Sequence, residues 1–443
     1  MVVLLKSSLV LLSIIAVVIL TSRLKLKAFI ALFIVSLFLA FATLPANVVV
    51  STIKEGFGNT MASIGFLIIL GAIIGITLDK TGGTLSIAKY ILSKTGEKKS
   101  ALALGITGFI TGLPIFCDSG FIILSGLAKS FSAKSKIAMP FMATVLGTSL
   151  YSVHCLIPPH PGALAAAAVI KVNIGYLIIT GIIFAIPGAL AAFFWSRMMS
   201  VGKGYEPAKI VETENPEAQK QLPSTLMSFL PIVVPLCLIT IKSLITLADK
   251  GGQSFFSKLF LIPGDPVIAL SIGVVLAIFL LKNKTIGSMN GIFGEAIEKA
   301  GPILIVTAAG GMFGMVIKST GTGDAVGKLL AGTNIGIFVP FLIAVIMKTA
   351  QGSSTVAIIT TASFIAPMLS LLGLDSEWGK LLAMLSMGAG SMIVSHANDS
   401  YFWVISNFGE IDPSVTLKVY SSSTIVMGIV VFACVWGTSL IVL

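Results

Sequence analysis

Two short stretches of this chain carry the residue types that hold acids and move protons, and both interrupt strongly apolar sequence. They are His154-Cys-Leu-Ile-Pro-Pro-His160-Pro-Gly162 and Ser395-His-Ala-Asn-Asp-Ser400. Between them they contain all three histidines, His154, His160 and His396, together with Asn398 and Asp399. Pro158, Pro159 and Pro161 remove three backbone donors, so the first stretch cannot be continuous helix and leaves carbonyls and imidazoles open to a hydroxylated ligand. Histidine titrates near neutral pH, which suits it to passing a proton. In the second stretch Asn398 can both donate and accept, and Asp399 can carry a proton. The plainer alternatives are a proline kink with satisfied histidines and a polar clamp between helices.

Two further interruptions add complementary chemistry. Gly112-Leu-Pro-Ile-Phe-Cys-Asp-Ser-Gly120 presents Asp118, Ser119 and Gly120 beside Pro114. A lone carboxylate in an apolar setting is expected to be neutral or to exchange its proton. Asp118 and Asp399 are therefore the proton-carrier candidates. Asp118 is also placed to cap the helix that follows it, and the two roles are compatible. Lys348-Thr-Ala-Gln-Gly-Ser-Ser-Thr355 has the small, hydroxyl-rich character of an anion cradle. Half-helix N-termini direct N–H groups and positive dipole ends at a carboxylate, and hydroxyls add hydrogen bonds. Gln351, Gly352, Ser353, Ser354 and Thr355 are thus candidate ligand contacts, unless the hydroxyls merely satisfy turn carbonyls. Lys348 can balance a charge in the site or reach towards the membrane surface.

The elements that position these residues are helices in a bilayer. With 56% hydrophobic and 11% charged residues among 443, an ordinary soluble domain is excluded; the mean hydropathy is +1.04. Aliphatic runs approaching the roughly 20 residues that cross a bilayer recur along the chain. They predict an all-α polytopic membrane protein with spans near 2–21, 27–45, 61–79, 137–168 and 173–196, then 226–247, 264–281, 301–318, 378–405 and 420–441. Residues 101–131 and 334–371 are too long for one crossing and too interrupted for two, so each reads as a re-entrant helical hairpin. The N-terminus reads as an uncleaved first helix, since no Ala-x-Ala-like site follows it. The four cysteines lack metal spacing and read as small buried residues.

The two halves resemble each other. Gly71, Gly75, Thr81, Gly82 and Lys89 recur at one constant offset as Gly310, Gly314, Thr320, Gly321 and Lys328, and Met142 and His154 recur at a slightly longer one as Met384 and His396. This divides the chain into a first repeat over 1–196, a hydrophilic linker over 197–225 and a second repeat over 226–443. The net charge of +11 is spread over loops, and positive-inside bias accounts for it without nucleic acid. Threading the spans puts Arg23, Lys27, Lys80, Lys94, Lys129 and Lys284 on one side, which is then cytoplasmic, with both termini extracytoplasmic. Five spans per half invert the second repeat relative to the first, and each repeat carries one hairpin and one broken helix.

The motifs around residues 112–120, 154–162, 351–355 and 395–400 together resemble the gluconate permease (GntP) family, gluconate:H+ symporters of the ion transporter superfamily. The resemblance covers essentially the whole chain. It implies uptake of gluconate or a related sugar or hydroxy acid with protons across a bacterial inner membrane, with no cofactor beyond the coupling proton. It also implies a scaffold domain, a mobile transport domain carrying both hairpins, and a homodimer working by an elevator movement. On that reading Ser119, Gly120 and residues 351–355 hold the carboxylate and hydroxyls, while His154, His160, His396 and Asn398 shape the pocket. Sodium-coupled uptake of dicarboxylates is the alternative. A membrane-embedded hydrolase is a remote one, since no His-Glu-x-x-His or Gly-x-Ser-x-Gly is present.

Overall fold

The computed structural model describes residues 2–24, 26–95, 99–208, 222–248, 255–320, 336–396 and 399–443, and these contain helices and no strand. The first half runs α1 (Val2–Ser22), α2 (Ala28–Thr43), α3 (Ala46–Thr81), α4 (Gly83–Thr95), α5 (Ser100–Gly112), α6 (Cys117–Ser135), α7 (Met139–Leu156), α8 (Pro161–Val169) and α9 (Ile174–Ser200). The second runs α10 (Thr225–Ala248), α11 (Phe255–Phe260), α12 (Pro266–Ile278), α13 (Ile286–Ser319), α14 (Phe338–Gln351), α15 (Ser354–Ile365), α16 (Glu377–Met392), α17 (Ser400–Phe408) and α18 (Ser422–Val442). Among the described residues, six segments are long and apolar enough to cross a bilayer, and shorter apolar helices fill in between them.

The interruptions fall where the sequence places them. Residues 101–131 fold as α5 and α6 around a turn at 113–116, and residues 338–365 as α14 and α15 around Gly352 and Ser353. Gly352 closes α14 in the left-handed region, at φ +81°, where glycine carries no Cβ penalty. Ser353 then caps α15 by accepting from the Val356 N–H. Three prolines stop α7 and restart the chain as α8 with Pro161 in its first turn. The matching break lies between α16 and α17, where Val394 sits at φ +57°. A β-branched residue held there is strained by about 1–3 kcal/mol, the sort of distortion found at functional sites.

Two helices differ from expectation. Spans predicted to start at 61 and 301 belong to helices that start at Ala46 and Ile286. Glu55, Asn59, Asn290 and Glu295 lower the local hydropathy without stopping a helix, so α3 and α13 continue as polar-flanked extensions. Helix α4 lies outside the predicted spans. Cys117 and Cys155 are buried as expected, but Cys237 is exposed on α10 and Cys434 half-buried. Of the expected 197–225 linker, residues 209–221 lie outside the described residues.

Helices α3 and α13 form the central pair, α2 packs on α13 and α12 on α3. Helix α7, buried along its whole length, packs on α5 and α9, and α16 packs in the same way on α14 and α18. The break after α7 is wedged between two glycines. A Cβ on Gly181 would lie 2.7 Å from the Leu156 carbonyl oxygen, and one on Gly388 would lie 2.8 Å from that of Cys155. Backbone cannot yield as a side chain tip does. Gly388→Ala is therefore expected to destabilise the protein by about 1–3 kcal/mol, read as a lowered Tm in detergent.

Candidate substrate site

Both hairpin turns and the second helix break converge on one cleft of about 260 Å³. Its polar lining is Asp118 from the first tip, Ser353, Ser354 and Thr355 from the second, His154 from the end of α7, and Asp399 and Ser400 from the start of α17. Tyr151, Tyr401, Phe116, Ile359, and Pro302, Ile303 and Val306 of α13 close it with apolar surface. The N-termini of α6, α15 and α17 all border this cleft, which is the arrangement that receives anions. They are not equivalent. Ser353 caps α15 and Asp399 caps α17, whereas the residue before α6 is Phe116, which offers no side-chain cap. The first N–H groups of α6 thus face the site without a capping side chain.

A buried ion pair builds one wall. Lys348, fully buried, places Nζ 2.5 Å from Asp399 Oδ2 and 2.6 Å from the Gly352 carbonyl oxygen. It also lies over the ring of Tyr151, 5.6 Å from its centroid. The Ser395 hydroxyl donates to the same Oδ2 at 2.5 Å, and Asp399 Oδ1 accepts from the Tyr401 N–H at 3.0 Å. Asp399 is therefore fully engaged. Asp118 is not: its Oδ1 is buried and has no hydrogen-bond partner among the described residues.

The histidines build a second wall. His160 Nε2 lies 2.6 Å from the Gly112 carbonyl oxygen, which can only accept, so that nitrogen carries the hydrogen. With both rings neutral, His160 Nδ1 then accepts from His154 Nδ1–H at 3.2 Å. His154 Nε2 in turn accepts from the Thr355 hydroxyl at 3.3 Å. One chain of hydrogen bonds thus runs from the end of α5 through the first helix break to the second tip.

Of the residues singled out in the sequence, Asp118, His154, Ser353, Ser354, Thr355 and Asp399 line the cleft. His160 stands behind His154, in a small recess with Gly71, Pro114 and Pro159. Gly120 faces Leu150 of α7, Gly352 turns its carbonyl to Lys348, and Ser119 and half-buried His396 lie outside the lining. Asn398 lies outside the described residues, as does the side chain of Gln351. Tyr151 was missed, although it stands one helical turn before His154 on the same face. Pro302, Ile303 and Val306 gave no signal beyond a proline inside a span.

Hairpins and broken helices that meet at a polar cleft inside apolar helices define a membrane transport protein. The chain belongs to the GntP family of permeases, matching the description "GntP family permease" over residues 5–441. It is similar to the gluconate permease of Pseudomonas aeruginosa, with 30% identity over 95% of this chain and 94% of the other. It is also similar to the Gnt-II system L-idonate transporter of Escherichia coli (strain K12), with 31% identity over 90% of each. The fold is that of the Neisseria gonorrhoeae transporter MtrF, described as representing a class of antimetabolite efflux pumps. The TM-score is 0.63 at 14% identity, covering 88% of this chain and 85% of the other. The chain is a multi-pass membrane permease and not an enzyme.

Removing one partner of a buried pair leaves an uncompensated charge. Asp399→Asn is expected to destabilise the protein by about 3–5 kcal/mol, measured as a fall in Tm of the purified protein.

Proposed function

We propose that this permease takes up gluconate or a related small sugar acid together with protons across a bacterial inner membrane. The carrying observation is the cleft in which the free N–H groups of α6 and the hydroxyls of Ser353, Ser354 and Thr355 face an unpartnered Asp118 carboxyl. The N–H groups and hydroxyls receive the substrate carboxylate and its hydroxyls, and His154 holds the Thr355 hydroxyl beside them. Asp118 carries the coupling proton. Asp399 was its equal in the sequence, but Lys348 and Ser395 occupy that carboxylate. Gly120, Gly352 and His160 support the site from behind, and Ser119, Gln351, His396 and Asn398 are proposed as further substrate contacts. The names of the Pseudomonas aeruginosa and Escherichia coli relatives support sugar acids as the substrate class.

Movement follows from two inverted repeats, with both termini outside the cytoplasm and the protein working as a homodimer. Packing supports the repeat, since α2 on α13 mirrors α12 on α3, and α5 on α7 mirrors α14 on α16. The mirror is broken in one respect. A Cβ on Gly75 of α3 would meet the carbonyl of Pro114, at the first tip, at 2.8 Å. One on its counterpart Gly314 would meet the carbonyl of Ser363 at 2.9 Å, deep along α15. Ser363 is about nine residues past the start of α15, or about 13 Å of helix. If the halves exchange these contacts in the opposite state, the hairpins slide about that far along α3 and α13, as an elevator does.

Two measurements test the reading. In proteoliposomes an inward gluconate gradient is expected to acidify the lumen. Asp118→Asn should lose this acidification while still binding gluconate in a thermal-shift assay. Normal acidification in that variant removes Asp118 as the carrier, and uptake that needs sodium and ignores a pH gradient favours the sodium-coupled reading. For the movement, Gly58 and Gly126 sit in open space and tolerate labels. Spin labels at the paired cysteine variants should report a separation that changes by up to about 13 Å on adding substrate. An unchanged distance sinks the elevator.

A further inference from the structure

Lys348 has no need to be where it is for stability alone. A buried ion pair typically contributes little compared with apolar residues of similar volume, so its retention at the centre of a transport site calls for another reason. The surroundings of its ammonium supply one. Two oxygens hold it, the Gly352 carbonyl at 2.6 Å and Asp399 Oδ2 at 2.5 Å. Gly352 is the C-terminal cap of the half-helix α14, so its carbonyl lies at the negative end of a helix dipole. Unwound carbonyls and half-helix C-termini coordinate the coupling cation in transporters built from broken helices, and here a carboxylate stands beside such a carbonyl. Hard cations take such oxygen ligands. Here the position between them is filled by a positive charge that belongs to the chain.

We propose that Lys348 is a tethered cation, its ammonium permanently occupying the place of a small alkali cation between Gly352 and Asp399 and so making transport independent of sodium. This rests on the reading of the protein as a cation-coupled symporter. The charge count is closed by the protein itself, because Lys348 neutralises Asp399 in every state of loading. A sodium ion arriving at this point finds its oxygens taken and a like charge in its place. Asp118, with a free oxygen in the same cleft, is left as the carboxylate that can change charge during the cycle. Ser395, donating to the same Oδ2, keeps a second hold on the carboxylate when the ammonium is absent.

Removing the ammonium while keeping its apolar stem should recreate the cation site. For purified Lys348→Met, sodium chloride is expected to raise Tm by several degrees over choline chloride, because an ion that binds only the folded state stabilises it. Lithium should act similarly, and the wild type should show no difference between the salts. In proteoliposomes the variant's uptake of gluconate should be lost in choline and regained in sodium. The double variant Lys348→Met/Asp399→Asn, in which both charges are gone, should fold with a Tm indifferent to sodium. A sodium response of equal size in the double variant overturns the proposal, since the ion then binds elsewhere. A Lys348→Met protein that transports normally in choline overturns it too. So does failure to recover that variant even in high sodium, because a free ion would then be unable to replace the ammonium. The Tm comparison needs no substrate. If the wild type transports no sugar acid, the proposed function fails while the sodium-dependent shift still decides the role of Lys348.

Discussion

Helices that stop inside an apolar slab leave backbone groups that water cannot reach, and the rest of this structure is arranged around satisfying them. The hairpins and the two broken helices create these ends. The two carbonyl ends of the hairpins are met by side-chain donors of different chemistry. His160 Nε2 donates to the carbonyl of Gly112 at the end of α5, and Lys348 Nζ donates to that of Gly352 at the end of α14. On the amino side, Ser353 and Asp399 cap α15 and α17. The start of α6 alone lacks a side-chain cap among the helices that open on the cleft. The uncapped helix start therefore lies beside Asp118, at the cleft.

The same residues tie distant parts of the chain into one body. His154 reaches Thr355 from the first half of the chain to the second, and Lys348 binds the turn at Gly352 to Asp399 at the start of α17. Tyr401 donates its hydroxyl to the carbonyl of Gly147 on α7, and Tyr151 donates to that of Ser391 on α16. These polar links are buried, so each is strong when complete and costly when broken. They hold the two tips and both breaks at fixed separations, which a cleft of about 260 Å³ requires if it is to distinguish one small acid from another. The glycine contacts at Gly181, Gly388 and Gly162 work in the same direction by bringing backbones together where a methyl group would intervene.

The cleft also gives two carboxylates of similar sequence setting different surroundings. Asp118 and Asp399 each stand at a break in apolar sequence, each near the start of a half-helix. Asp399 receives an ammonium, a hydroxyl and a backbone N–H, and Asp118 keeps an oxygen with none of these. The difference lies in the neighbours and not in the residues.

Most of the apolar helices and the interruptions at residues 113–116, 157–160 and 352–353 were legible in the chain. Three prolines within four residues, and a Gly-Ser pair after a polar run, break backbone order locally, whereas single prolines such as Pro187 and Pro302 stay inside helices. Apolar length is likewise a local property, and it carried the helical fold. What local chemistry could not carry was partnership. Lys348 had two equally plausible destinations in the sequence, and only packing of α14 against α16 buries it against Asp399. His160 and His154 were near neighbours on paper, but their different roles depend on Gly112 and Thr355, which lie far away along the chain. Tyr151 and the α13 residues that close the cleft were invisible as site residues, since apolar side chains in a span look alike until a second helix faces them. The sequence by itself determined where backbone order must break inside the membrane; the tertiary structure decided which charge meets which, because that depends on contacts between residues as far as 281 positions apart, as for Lys129 and Glu410.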